Sequence, residues 1–377
     1  MYLDMTMKND LCKLMHFCIL NQSCVGNIKA LKEELIIMWS ARPSACFVFG
    51  DSLVDVGNNN YIVTIATANH PPYGIDYPLG PTGRFSNGRI VPDLLAEKIG
   101  IAHAPPYLAP TTKGPAILQG VNFASAGAGI LDSTGYEYIG RIPMNQQLQY
   151  ITNTRAQIVE LVGENQTEAI FANALFIVNM GSNDYDNNYL LTGSTTSIKY
   201  NPQQFQDLLI STYAQQLTTL YNLGGRKFMV CGVGPLGCIP SQIVQNSLNQ
   251  NGQCVEFINA YVQGFNAALR PMLHQLTATL LGATFTYANT YDLGMSYINN
   301  PDTYGFATVD DACCGLGPYK ALIPCFEGVS YCSDRRDHLF WDPYHPTEAA
   351  NIFSANAFFS GGPEVMDPMN VQRLLAQ

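Results

Sequence analysis

A serine, a histidine and an aspartate occupy positions where they could act together in nucleophilic catalysis. Ser52 comes shortly after the apolar run Cys46–Phe49, and His345 lies three residues after Asp342. Serine is a weak nucleophile unless a base removes its proton, so a histidine is required. Asp342 and His345 each precede a proline, and a residue before proline is held out of the helical region. The pattern therefore predicts a stiff loop that presents an acid and an imidazole together.

These residue types predict a division of labour. Asp342 would accept a hydrogen bond from one ring nitrogen of His345 and fix its tautomer, leaving the other nitrogen to take the proton of Ser52. Pro346 suits the first turn of a helix that follows this loop. The remaining histidines are weaker candidates for the base: His16 in the N-terminal segment, His70, His103 and His274 without an acid within four positions, and His338, whose side chain we expect to diverge from that of the adjacent Asp337.

Each of these residues also has an ordinary structural interpretation. Ser52 and Asp55 fit a capping box that starts a helix. Gly57 and three asparagines follow within five residues of Ser52, however, so such a helix would end almost at once. His345 could equally be a structural histidine in a surface loop.

Acyl transfer also needs hydrogen-bond donors for the oxyanion, and two glycine-rich stretches compete for this task. The stretch 181–184 follows an apolar run, so the side-chain amide of Asn183 would reach the same sheet edge as Ser52. The stretch 121–129 could offer the backbone N–H of Gly127, where a side chain would block the approach. Either stretch alone could be an ordinary turn.

The elements that would position these residues alternate between strands and helices. Short apolar runs, typical of strands buried on both faces of a parallel sheet, recur at Cys46–Phe49, Ala174–Met180, Lys227–Val233 and Thr284–Ala288. Helical periodicity covers 203–223 and 253–281. The alternation predicts an open α/β sheet with helices on both faces, in which ligands bind beyond the carboxyl ends of the strands.

The composition of the 377 residues excludes some partners. Charged residues make up 13% and the net charge is -10, without the clustered Lys and Arg that a nucleic-acid partner requires. Residues 232–237 match the dinucleotide fingerprint G-x-G-x-x-G, but Pro235, Cys238 and Pro240 make this an irregular loop rather than the start of a helix. We expect no nucleotide, no metal and no other cofactor. We also expect a monomer.

The eleven cysteines favour disulfides over a metal site, because paired C-x-x-C units are absent. Cys238 and Cys254 flank a polar loop and should form one bridge. Two further bridges are expected within one crowded group, Cys313, Cys314, Cys325 and Cys332, whereas Cys231 in a predicted strand should stay free. Asn165 begins an N-x-T glycosylation sequon, and Asn21 begins a second sequon.

Residues 1–44 are not expected to belong to the folded domain. No apolar run reaches the length that a membrane span needs. Residues 1–44 lack a clear signal peptide and are interpreted as an atypical extension, either a degenerate or a misassigned signal region. Residues 45–377 are expected to form a single domain.

Four stretches in this order resemble the plant GDSL esterase/lipase family, a branch of the SGNH hydrolases. Gly50-Asp51-Ser52-Leu53 resembles the block with the nucleophile, 122–127 the block with the oxyanion glycine, 181–184 the block with the oxyanion asparagine, and Asp342-Pro343-Tyr344-His345 the block with the acid and base. The second block reads Ser-Ala-Gly where many members read Ser-Gly, so the amide of Gly127 or that of a neighbour could donate. The resemblance covers about residues 45–360.

The resemblance implies a flavodoxin-like three-layer sandwich, ester hydrolysis without a metal, and secretion as a disulfide-bonded glycoprotein. The leading hypothesis is a serine esterase or lipase acting on acyl lipids, cutin-like polyesters or acetylated polysaccharide. The alternative is a catalytically idle, secreted wall- or surface-binding protein on the same fold.

Overall fold

The computed structural model describes residues 45–246 and 253–377. The predicted extension over residues 1–44, with the Asn21 sequon and His16, lies outside the described residues. The strands are β1 Cys46–Gly50, β2 Leu175–Asn179, β3 Lys227–Cys231, β4 Thr284–Ala288, β5 Thr308–Ala312, β6 His338–Phe340 and β7 Met366–Asp367. The four apolar runs of the sequence thus form β1 to β4, with ends that shift by at most two residues.

The main sheet has the order β1-β2-β3-β4-β7. Strands β1 to β4 are parallel, as their apolar character predicts, and their register aligns Phe47, Phe176, Phe228 and Phe285 in one row. The edge strand β7 runs antiparallel to β4, which departs from the expected all-parallel sheet. It is only two residues long, so its sequence carries no strand signal.

A further strand-like segment extends the sheet beyond β1. Val48 donates its N–H to Val121 at 3.0 Å and accepts from the N–H of Phe123 at 2.7 Å. Counted with this segment, the parallel part has the spatial order 2-1-3-4-5, which is the flavodoxin-like order. The sequence did not predict this pairing because Asn122 interrupts the apolar run.

Helices cover both faces of the main sheet. Cluster contacts place the side chains of Phe47 and Phe49 on one face and those of Cys46 and Val48 on the other. The helices are α1 Val91–Ile99, α2 Met144–Val162, α3 Glu164–Asn173, α4 Ser182–Asp184, α5 Thr195–Lys199, α6 Pro202–Asn222, α7 Pro240–Gln245, α8 Glu256–Thr279, α9 Thr290–Asn299, α10 Pro301–Tyr304, α11 Glu348–Ser360 and α12 Val371–Leu375.

The long helices α2, α6 and α8 bury their apolar faces against the Phe47 side of the sheet, through residues such as Ile151, Leu209 and Leu269. Helices α1, α11 and α12 cover the other side, through Leu95, Phe358 and Leu374. The predicted three-layer α/β sandwich is confirmed. Among the described residues, no helix combines the length and the apolar character needed to cross a membrane.

Among the described residues, three disulfides cross-link loops at the carboxyl side of the fold. They join Cys238 to Cys254, Cys313 to Cys332 and Cys314 to Cys325. The predicted pairing of the first two cysteines and of the crowded group therefore appears in the structure, with the connectivity of the group now defined. Cys231 in β3 and Cys46 in β1 are buried and have no disulfide partner among the described residues.

Candidate active site

The nucleophile candidate Ser52 stands where β1 ends. Gly50, the last residue of β1, has φ +156°, and a Cβ there would lie 2.4 Å from the carbonyl oxygen of Asn179 on β2. Only glycine allows this close approach. The buried Gln147 of α2 accepts from the N–H of Gly50 at 2.9 Å and donates to its carbonyl oxygen at 2.8 Å. The backbone that leads into Ser52 is therefore held on both sides.

The capping-box interpretation of Ser52 and Asp55 is wrong. No helix begins at Ser52, and the next helical turn is the short 3-10 turn Asn58–Tyr61. The Asp55 carboxylate instead accepts from the backbone N–H of Gly57 at 2.7 Å, from that of Asn58 at 2.8 Å, and from that of Ala126 at 3.2 Å. Asp55 thus ties the loop after Ser52 to the stretch that contains Gly127.

The structure brings Ser52, His345 and Asp342 together. His345 Nε2 lies 2.7 Å from Ser52 Oγ, and His345 Nδ1 lies 2.8 Å from both carboxylate oxygens of Asp342. A carboxylate only accepts hydrogen bonds, so Nδ1 carries the proton and Nε2 keeps the lone pair that faces the serine. The geometry is that of an activated nucleophile with its base and an orienting acid.

Asp342 is buried and receives several donors. Tyr73 donates its hydroxyl to Asp342 Oδ2 at 2.7 Å, and the backbone N–H groups of Tyr344 and His345 donate to Oδ1. Burial alone would raise the pKa of Asp342, but His345 and the hydrogen bonds outweigh burial, so its pKa is lowered. Asp342 is therefore held as a carboxylate beside the imidazole.

The loop that carries Asp342 and His345 is fixed at both ends. It follows β6, which pairs with β5, and the N–H of Trp341 donates to the His345 carbonyl at 2.7 Å. The helix after the loop begins later than predicted. Thr347 is the N-cap of α11, so Pro346 lies before the helix and not in its first turn.

The two stretches that compete as the oxyanion site meet at one place. Asn183 Nδ2 donates to the carbonyl of Ala128 at 2.9 Å, and both Gly127 and Asn183 line the cavity that contains Ser52. Asn183 retains a second N–H, since an amide nitrogen has two. The backbone N–H of Gly127 has no acceptor among the described residues, and the same is true of Ser52. Gly127 also has φ +79°, and a Cβ there would meet the ring of Tyr138 at 2.5 Å.

None of the other described histidines forms a hydrogen bond with Ser52. His338 Nδ1 lies 2.6 Å from Asp337, so the expectation that these adjacent side chains diverge is wrong. His274 lies 2.7 Å from Asp367, an acid that is remote in sequence. His70 reaches the wall of the cavity but bonds only to its neighbouring carbonyl. His345 therefore remains the base candidate on geometry.

The cavity at Ser52 has a volume of about 600 Å³. Its walls are mainly apolar and come in part from the loop after β3, from α9, from β6 and from α11. Among these wall residues are Val233, Leu236, Ile239, Leu293, Ile298 and Phe358. An apolar cavity of this size beside a nucleophile suits the acyl part of an ester better than a charged ligand.

The stretch 232–237, which matches the dinucleotide fingerprint, contributes to this wall. It leaves β3 and enters the 3-10 turn Leu236–Cys238, which the disulfide from Cys238 anchors.

Among residues 45–246 and 253–377, no group of three or more His, Cys, Asp or Glu side chains is arranged to hold a metal ion. Asn165 is exposed at the start of α3, and its glycosylation stays a prediction.

Sequence reasoning missed three residues that support the site. Gln147 bonds to Gly50, 97 positions away, and Tyr73 bonds to Asp342, 269 positions away. No local sequence pattern predicts either contact. Asn59 belongs to the run of asparagines after Ser52. Its side chain donates to the Ala126 carbonyl at 3.1 Å and so helps to hold the stretch 122–127 in place. The supporting role of these asparagines could have been predicted, since asparagine side chains often form hydrogen bonds with nearby backbone groups.

The residue before Ser52 is an unusual buried acid. Asp51 is buried, and its Oδ1 accepts from the N–H of Leu53, while Oδ2 has no partner among the described residues. Burial raises the pKa of Asp51 to about 7, against the lowering effects of the Leu53 N–H and of His345.

The chain is similar to known proteins over most of its length. A family model described as GDSL-like Lipase/Acylhydrolase matches residues 46–358. Two similar relatives are GDSL esterase/lipases of Arabidopsis thaliana: one is 44% identical over 345 residues, covering 91% of this chain and 92% of the relative, and the other is 45% identical over 340 residues, covering 88% and 91%. GDSL esterase/lipase 7 of the same plant is 44% identical over 333 residues, covering 88% of this chain and 91% of that protein.

Proposed function

The chain belongs to the GDSL-like lipase/acylhydrolase family and is a hydrolase that acts on ester bonds, and from this premise we propose that Ser52, His345 and Asp342 are its catalytic triad. The observation that carries the proposal is the hydrogen bond of 2.7 Å between Ser52 Oγ and His345 Nε2. We further propose that residues 45–377 form a single domain that carries the whole site.

In the proposed reaction, Ser52 Oγ attacks the carbonyl carbon of the ester while His345 Nε2 takes its proton. The tetrahedral intermediate collapses, His345 gives the proton to the leaving alcohol oxygen, and the acyl group stays on Ser52. A water molecule then attacks the acyl carbon and gives a proton to His345. The bond between the acyl carbon and Ser52 Oγ breaks, His345 returns the proton to Ser52 Oγ, and the acid is released. Asp342 keeps the imidazole in its tautomer and stabilises the imidazolium.

The proposed oxyanion site consists of the backbone N–H of Gly127 and the second N–H of Asn183. Their position at the wall of the Ser52 cavity supports this assignment. The unused N–H of Ser52 itself would add a third donor. Such donors stabilise the charge that develops on the carbonyl oxygen, and they need no reorganisation during the reaction.

The apolar wall supports an ester with an apolar acyl chain, such as an acyl lipid or a cutin-like polyester, as the substrate. Acetylated polysaccharide would leave most of that wall unused. Three disulfides support a secreted protein, because disulfides persist in oxidising compartments.

The test is turnover of p-nitrophenyl esters from acetyl to palmitoyl by the purified protein, with Ser52→Ala as the control. The proposal expects turnover that rises from acetyl to longer chains and is lost in Ser52→Ala. Equal, near-background rates in both proteins would favour the idle binding protein instead.

A further inference from the structure

Exposed apolar side chains are concentrated in three segments that each line part of the cavity. Nine of the sixteen large apolar side chains that are exposed among the described residues lie in three short segments, 61–66, 136–139 and 316–326. These nine form what we call the apolar rim: Tyr61, Val63, Ile65, Tyr136, Ile139, Leu316, Leu322, Ile323 and Phe326. Singly exposed apolar residues need no explanation, but a cluster of this kind marks an interaction surface.

The three segments of the apolar rim adjoin one another and the cavity. Ile65 donates its N–H to the Tyr138 carbonyl at 3.2 Å, which joins the first two segments. Ala66 packs against the cluster that contains Cys325, so the first and third segments contribute to one hydrophobic cluster. Ile65 and Phe326 also line the cavity of Ser52. The apolar rim is therefore continuous with the proposed path of the substrate.

One rim residue is displayed by a strained turn. Ile139 has φ 72° and ψ -63°, and the N–H of Gly140 donates to the Tyr138 carbonyl at 2.9 Å, which defines a γ-turn of the rare hand. A β-branched residue is an outlier in this conformation. Ile139 is nevertheless 66% exposed, so packing within the chain gives little in return. Strain retained at such a position points to a role outside the fold.

The apolar rim carries almost no exposed charge. Its three segments contain only two charged residues, Glu137 and Lys320. Glu137 has both carboxylate oxygens buried, and Lys320 Nζ lies 4.0 Å from Asp311. The chain as a whole has a net charge of -10, which disfavours an anionic lipid surface. An uncharged apolar surface is the complementary partner.

We propose that the apolar rim seats the enzyme on the surface of a condensed, water-insoluble and uncharged ester phase. An acyl chain then passes from that phase into the cavity without being exposed to water, and the transfer of rim side chains out of water stabilises the contact. The inference deepens the proposed function and rests on it for the identity of the substrate.

The test uses a double variant, Val63→Gln with Leu322→Gln, at two rim positions that are 82% and 63% exposed and do not line the cavity. The matched control is Leu281→Gln. Leu281 is 88% exposed and lies shortly before β4, at the end of the sheet opposite to Ser52. Rates are measured on p-nitrophenyl acetate in solution and on tributyrin emulsified above its solubility limit.

We expect the double variant to stay within about twofold of the parent on the soluble ester. On the emulsion it should lose about tenfold or more, since burial of one Leu or Val contributes more than the free energy of a factor of ten. Leu281→Gln should match the parent on both. An emulsion rate unchanged in the double variant, or lowered equally in Leu281→Gln, would overturn the inference.

A binding arm separates this inference from the proposed function. Ser52→Ala protein, with and without the rim substitutions, is floated with triolein droplets and with phosphatidylserine vesicles. Rim-dependent binding to triolein supports the inference even if the parent hydrolyses neither ester, a result that would refute only the proposed function. Absence of binding to triolein, or rim-dependent binding to the anionic vesicles alone, would refute the inference.

Discussion

Replacing Gln147 by Leu should disturb the active site from a distance. Gln147 does not touch the substrate cavity, but it accepts from the N–H of Gly50 and donates to the carbonyls of Gly50 and Ile142. Leu has a similar volume and no polar atoms. Gln147→Leu therefore removes the clamp on the end of β1 while it keeps α2 packed against the sheet.

The cost follows from the groups that lose their partners. The Gly50 carbonyl still accepts from Ser125 at 3.0 Å, but the Gly50 N–H and the Ile142 carbonyl lose the partner that Gln147 provided. Each unsatisfied buried group costs about 1–3 kcal/mol, so the free energy of unfolding should fall by about 2–6 kcal/mol. A displacement of the nucleophile by about 1 Å can lower turnover by about 10²-fold. Urea unfolding and kcat, normalised to the folded fraction, measure the two effects.

Gln216→Leu is the matched control. Gln216 is also buried and donates to the Ile130 carbonyl at 2.9 Å and to Asn145 Oδ1 at 3.0 Å, but its Oε1 has no partner among the described residues and it makes no hydrogen bond to β1. We expect it to lose less stability and to keep kcat within about twofold. If Gln147→Leu kept the parental kcat, or if both variants lost turnover alike, the argument that Gln147 positions Ser52 would be wrong.

Three further changes test individual contacts. Tyr73→Phe removes a hydrogen bond to a charged carboxylate, worth about 1.5–3 kcal/mol, so kcat/KM should fall by about 10- to 100-fold; the pKa of Asp342 should rise, because the Tyr73 hydrogen bond is one of the contacts that lower it. Asn183→Ala should lower kcat by about 10²–10³-fold with KM nearly unchanged, whereas a lower Tm with activity kept within a few-fold would make Asn183 a turn residue only. Asp51 has a raised pKa in the folded state, so its ionisation destabilises the fold as the pH rises from about 4 to about 7; Asp51→Asn should flatten that part of the stability profile and raise Tm at pH 8, and an unchanged profile would contradict this assignment.

The sequence was sufficient where the signal is local. The strands β1 to β4 are continuous apolar runs because both of their faces are buried, and parallel strands bring their carboxyl ends to one edge. Asp342 and His345 are three residues apart, and the flanking prolines restrict the loop, so their contact could be expected. These features need no knowledge of how remote segments meet.

The sequence was insufficient where the partner is remote. Tyr73 and Asp342 are 269 positions apart, and only the fold brings them together. The same limit affected the choice among histidines. The lack of an acid near His274 in the sequence argues against it as the base, yet Asp367 lies 2.7 Å from it in space. His274 fails as the base because Ser52 is elsewhere, and not because it lacks an acid.

Covalent labelling shows whether His345 activates Ser52. A fluorophosphonate forms a phosphorus–oxygen bond with an activated serine and releases fluoride, and peptide mapping by mass spectrometry locates the label. We predict one label per chain, on Ser52, and a labelling rate that falls by about 10³-fold or more in His345→Ala. A label on another serine, or an equal rate of labelling in folded His345→Ala, would contradict the account.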